Sequence, residues 1–126
     1  MSLSKENCKY LLSSIEGVHQ ALKMLHWSTD NKAEHLLTDE IDGDMLSFED
    51  RIAESVMGKL DFKFGRGDLK SLLPESSTLK EILNELEKDV LKFKNDIDDS
   101  GNGGIINIID DLLESINKWR YLSTFK

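Results

Sequence analysis

The chain has 126 residues, enough for one domain around a single core, and carries a net charge of −8 from 24 acidic and 16 basic residues. That surplus argues against duplex nucleic acid and anionic membranes as partners, because both need clustered Lys and Arg to displace counterions. A single proline and one late cluster of glycines argue against the many turns of an all-β fold.

Residues 3–27 carry Cys8, Leu11, Leu12, Ile15, Val18, Leu22 and Leu25 at steps of three and four, the stripe of an amphipathic helix. Cys8 is the only cysteine, which excludes an intrachain disulfide and fits a reducing, cytoplasmic setting. No leading apolar run has signal-peptide length, and none reaches the ~20 residues of a membrane span. Thr29 to Asn31 form a short break, and Asn31 with Glu34 reads as the capping box that starts a second helix. Gly58 is the expected stop. The short link makes helices one and two antiparallel neighbours.

The stretch 59–76 is too apolar for a free linker, with Phe62, Phe64, Leu69, Leu72 and Leu73. It is expected to cross the length of a bundle, with a turn or two of helix between Asp68 and Leu73. Arg66-Gly67-Asp68 within it is given no functional weight. Thr78 and Glu81 open helix three, whose stripe is Leu79, Ile82, Leu83, Leu86, Val90, Phe93 and Ile97. Asp96, Asp98 and Asp99 lack the order of a calcium loop and read as a solvated helix end. A turn over Ser100 to Gly104 leads into helix four, with Ile105, Ile108, Ile109, Leu112, Ile116, Trp119 and Leu122 inward. The expected architecture is all-α: one four-helix bundle domain over residues 1–126, with a long crossover between helices two and three.

Helix two is the informative element. Leu37, Ile41, Met45, Phe48, Ile52 and Val56 fall on one side of its wheel, an ordinary core stripe. His35, Asp39, Gly43, Leu46, Asp50, Ala53, Glu54 and Met57 fall on roughly the opposite side. A solvated face rarely mixes Gly43, Leu46, Ala53 and Met57 with acids, whereas a second packing surface does. His35 and Asp39 are one turn apart and can reach one metal ion, as can Asp50 and Glu54. Asp39 and Asp50 are separated by roughly 16 Å along the axis, against metal–ligand bonds of about 2 Å. The two pairs therefore cannot close on one ion within one chain. An antiparallel copy of the same helix would bring them together, giving a two-fold dimer with two equivalent shared sites. The border acids Glu40, Asp42, Asp44 and Glu49 read as solvent-facing, Asp42 lying nearest the site.

His-Trp at 26–27, then His35, then D-x10-D-x3-E over Asp39, Asp50 and Glu54 resembles the ferroxidase signature of the Dps proteins, a branch of the ferritin-like superfamily. The match covers about a quarter of the chain, and the interval from His26 to His35 is shorter than the family's. The ending Asn117 to Phe125 weakly resembles that family's last helix. The resemblance implies a ferritin-like bundle in which His26, His35 and Asp39 of one subunit join Asp50 and Glu54 of its two-fold mate around iron. It implies that Trp27 walls the site and takes up oxidising equivalents. The implied function is oxidation of Fe2+ to Fe3+ by peroxide or dioxygen, for iron storage or detoxification and oxidative-stress protection. Other divalent metals suit the same donors. The implied partner is a second copy, with a dodecameric shell in the family's larger assemblies. Glu16 and His19 make one E-x-x-H step of the larger ferritin-like proteins, but no second step accompanies it, so an intrachain di-iron centre is the weaker reading. The rival reading is a non-enzymatic helical interaction module that keeps the bundle without iron chemistry. A DNA-binding role is opposed by the net charge and by the absence of a Lys-rich tail.

Overall fold

A computed structural model describes residues 2–97 and 101–125. Among them are four helices and no strand: α1 (Lys5–Ser28), α2 (Lys32–Leu60), α3 (Leu79–Asp96) and α4 (Gly103–Leu122). Asp98, Asp99 and Ser100, part of the acidic run and turn read above, lie outside the described residues.

Three helix starts are fixed by side chains. The Ser4 hydroxyl accepts from the Asn7 N–H at 3.1 Å, and the Asn7 amide oxygen accepts from the Ser4 N–H at 2.9 Å. Asn31 and Thr78 cap α2 and α3 by accepting from the N–H groups of Glu34 and Glu81. The end of α2 differs from expectation. Gly58 is inside the helix, which runs on to Leu60 and stops where Asp61 adopts a left-handed φ of 55°. Aspartate tolerates that conformation better than most residues, and its N–H closes onto the Met57 carbonyl. The glycine was therefore not needed for the stop.

The four stripes meet in one core. Leu37, Ile41, Met45, Phe48, Ile52 and Val56 are all buried, and Trp119 is almost fully enclosed. Burial of the Cys8 side chain pushes its thiol up to about 12, so it behaves as a small apolar core residue. α1 packs on α2 and α3, and α4 packs on the same two, so α1 and α4 lie diagonally. Asn7 and Tyr10 sit beside Asp96, Ser14 bonds Asp89, and Ala21 and Leu25 lie near Ile82, which makes α1 and α3 antiparallel. Arg51 faces Asp111, and Lys59 donates to the Gly101 carbonyl, which makes α2 and α4 antiparallel. No helix among the described residues is long and apolar enough to cross a membrane.

Residues 61–78 form a strap along α1. Asp68 pairs with Lys5 near one end of that helix, while Leu73 and Pro74 lie by Ala21 and Leu25 near the other. Phe62, Phe64 and Leu69 pack on the core, as their character requires. No helical turn forms between Asp68 and Leu73. The reason is where the backbone bonds go: the Leu72 N–H donates to the Ser13 carbonyl at 3.1 Å, and the Lys70 N–H to the Ser13 hydroxyl at 3.2 Å. Gly17, one turn on from Ser13, admits this backbone. A Cβ there would sit 1.8 Å from the Leu72 carbonyl oxygen, so the strap can lie flat only over a glycine.

Candidate functional site

The link of three residues between α1 and α2 folds His26 back against His35. Their rings stack with centroids 3.8 Å apart and planes 15° from parallel. Each ring also bonds the other's backbone: His26 Nδ1 lies 2.6 Å from the His35 carbonyl oxygen, and His35 Nδ1 lies 2.7 Å from that of His26. A carbonyl only accepts, so each Nδ1 carries the hydrogen. The Nε2 lone pair of each neutral ring is then left for another partner, the usual way a metal-binding imidazole is oriented. Thr38 completes the arrangement, its hydroxyl donating to the His35 carbonyl at 3.0 Å and lying 3.2 Å from His26 Nδ1.

A cleft of about 230 Å³ opens beside this pair, lined by Lys23, His26, Trp27, Asp39 and Asp42. Trp27 is at its rim, 72% exposed, with the Lys23 ammonium 5.7 Å from its ring centre. His26 and Asp39 thus share one cleft, and His35 joins them through the stack. Asp50 and Glu54 do not. Both are exposed, and Glu54 lines a separate hollow with Met57, Phe62 and Phe64 toward the far end of α2. Among the described residues, no group of three or more His, Cys, Asp or Glu side chains is placed to hold a metal ion. The face between the two sets is open in the single chain: Leu46 is 45% exposed, and a Cβ on Gly43 would touch nothing.

One expectation fails at the other edge of α2. Glu49 is half-buried rather than solvent-facing, and its Oε2 is enclosed without a hydrogen-bond partner. Burial pushes its carboxyl up to about 8, helped by a hydrogen bond with Glu16 and by the charges of Glu16, Asp50 and Asp42. Glu49 therefore keeps a proton that an ordinary glutamate has lost. One step along the same seam, His19 Nδ1 pairs closely with Asp42. The signal was in the spacing. Glu49 follows Met45 by four and precedes Ile52 by three, so it borders the core stripe. Glu16 and His19 supply the matching edge of α1.

No protein-family model, no curated protein and no solved structure matches this chain.

Proposed function

We propose that the chain is a Dps-like member of the ferritin-like superfamily that binds Fe2+ and oxidises it to Fe3+, at sites completed across a two-fold dimer, for iron storage or detoxification. The observation that carries this reading is the reciprocal His26–His35 pair beside Asp39, two oriented imidazoles and a carboxylate at one end of α2. That donor set suits non-haem iron, which is the substrate here. The strap running back along α1 supports the class, since ferritin-like bundles use one long crossover. Asp50 and Glu54 would reach the cleft from the second chain, and Trp27 at its rim is accessible to take up oxidising equivalents. A soluble dimer, or a larger shell of such dimers, is the assembly this reading requires.

A second reading, a helical interaction module without iron chemistry, is favoured by one observation: the described residues of a single chain bring no three ligand-type side chains together. Mixing two variants separates the readings. Asp39→Asn and Glu54→Gln are nearly isosteric, and each should abolish most iron oxidation while leaving the fold intact. In a mixed dimer one site collects both defects and the other is wild type, so activity should return to at most about half. Subunit exchange verified by mass with no return of activity would sink the shared site. Full activity in both single variants would leave the interaction module as the better account.

A further inference from the structure

The corner where α1 turns into α2 and the far end of α2 carry complementary surfaces. At the corner, Trp27 is the most exposed large apolar side chain among the described residues, at 72%. It lines the His26 cleft together with Asp39, so it lies on the side of the molecule that carries the open face of α2. At the far end of that face, Glu54, Met57, Gly58 and Asp61 border a hollow of about 650 Å³ with Phe62 and Phe64. The two phenylalanine rings meet edge-on, centres 4.9 Å apart, and the Met57 sulfur accepts the Phe64 N–H at 3.3 Å. This apolar hollow is large enough to admit an indole, the side chain most often found as the buried anchor of an interface.

Register and charge say which indole. Setting His35 and Asp39 against Glu54 and Asp50 of an antiparallel copy puts the two-fold axis between Asp44 and Met45. The stack of His26 on His35 holds Trp27 near the level of His35 along α2. At that level the copy presents Glu54, where the hollow begins. The Lys23 ammonium lies 5.7 Å from the Trp27 ring centre, and exposed Lys32 is two turns before Asp39 on the same face of α2. On this exposed side of the corner the two lysines stand with Asp30. The hollow answers with Glu54 and Asp61 against Lys63, so an excess of positive charge meets an excess of negative. We propose that Trp27 of one chain inserts into the hollow bordered by Met57, Phe62 and Phe64 of a second copy, twice per dimer. The inference rests on the two-chain reading above and gives that dimer an apolar anchor that needs no metal.

Tryptophan fluorescence of iron-free protein across a dilution series tests this, with sedimentation on the same samples. Trp119 is almost fully enclosed, so acrylamide quenching reports Trp27. Dimers should emit to the blue and resist quenching, and dilution to monomers should reverse both. Trp27→Ala should raise the dimer dissociation constant about thirtyfold or more. Gly58→Phe fills the hollow from its own side, where a Cβ meets nothing within 4 Å, and should weaken the dimer as well. Leu91→Ala, at an exposed leucine of α3, should leave it unchanged, and circular dichroism checks all three folds. Dimers in which Trp27 is as quenchable as in monomers would overturn the proposal while leaving the shared iron site standing. A Trp27→Ala dimer of wild-type strength would do the same. A monomeric wild type would overturn both. Shielded Trp27 in dimers that oxidise no iron would support this interface and remove the ferroxidase reading alone.

Discussion

The seam between α3 and α4 and the seam between α1 and α2 are built on opposite electrostatic plans. Across the first, Arg120 grips Glu87 with two bonds of 2.6 and 3.1 Å and also donates to Asn84 and Asn117, while Lys94 meets Asp110 at 2.7 Å. Opposite charges meet with their hydrogen bonds satisfied, and the Arg120 bond holds the Glu87 carboxyl below the ordinary carboxylate range. Across the second, Glu16 faces Glu49, His19 faces Asp42, and two imidazoles stack on each other. At two of these three contacts like groups are brought together, and burial beside Glu16 favours the protonated form of Glu49. The first arrangement serves stability. The second holds titratable groups in register at the expense of unlike-charge pairing, an arrangement in which burial raises the Glu49 carboxyl.

The two seams should respond to pH with opposite sign. Glu87 is depressed in the folded state, so its contribution is present above the ordinary glutamate value and is lost as acid protonates it. Glu49 is raised from 4.5 to about 8, so the folded chain keeps a proton that the unfolded chain releases. Its contribution is complete below 4.5 and declines as pH climbs toward 8.

The largest effect should come from breaking the satisfied seam. Arg120→Met leaves Glu87 without its two-bond partner and should cost about 2 kcal/mol at neutral pH, a fall of roughly 8 °C in Tm. The loss should shrink at low pH, where Glu87 is neutral. Thermal melts that show the same deficit at both ends of the range would assign the cost to packing of the Arg120 side chain rather than to its charge.

A smaller effect of opposite sign is expected at the other seam. Glu49→Gln removes the need for a retained proton and should stabilise the protein above pH 8 by about 1 kcal/mol, the solvent that reaches this half-buried pair keeping the gain modest. At pH 4.5 wild type and variant should be nearly equal. Urea midpoints at the two pH values measure the difference. A gap that does not widen with pH would mean that burial does not hold the Glu49 carboxyl above its ordinary value.

How far the sequence foretold these features depends on where each one's partners lie. The core stripes were legible because period and burial are properties of one helix at a time, and the Asn31 and Thr78 caps because their acceptors and donors sit three residues apart. The strap's extended backbone was not legible, since its bonding partner Ser13 is more than fifty residues away. Glu49 is legible only in part: its spacing places it beside the core stripe, but an acid there looks solvated until Glu16 of another helix is placed against it. His35 and Asp39 stood out by spacing, but the His26–His35 stack depends on how tightly the link of three residues turns, and local pattern does not encode that.

The smallest effect on the fold concerns the face of α2 that neither seam uses. Leu46 is 45% exposed and Gly43 has open space beyond it, so Leu46→Lys should change the stability of the isolated chain by no more than about 0.5 kcal/mol. In a two-fold assembly built on this face the change acts twice, because an isologous contact places both copies of a residue in the same interface. Two ammonium groups would then replace two leucines where Gly43 allows the helices to approach. Sedimentation should show wild-type dimers at micromolar concentration and variant monomers that keep the wild-type helical circular dichroism, melting lower only by the stability that dimerisation adds. Iron oxidation should fall in parallel with dimer content, since Asp50 and Glu54 could no longer reach the His26 cleft. A wild type that sediments as a monomer would remove the two-chain site, and the unsatisfied seam between α1 and α2 would then have to be explained within one chain.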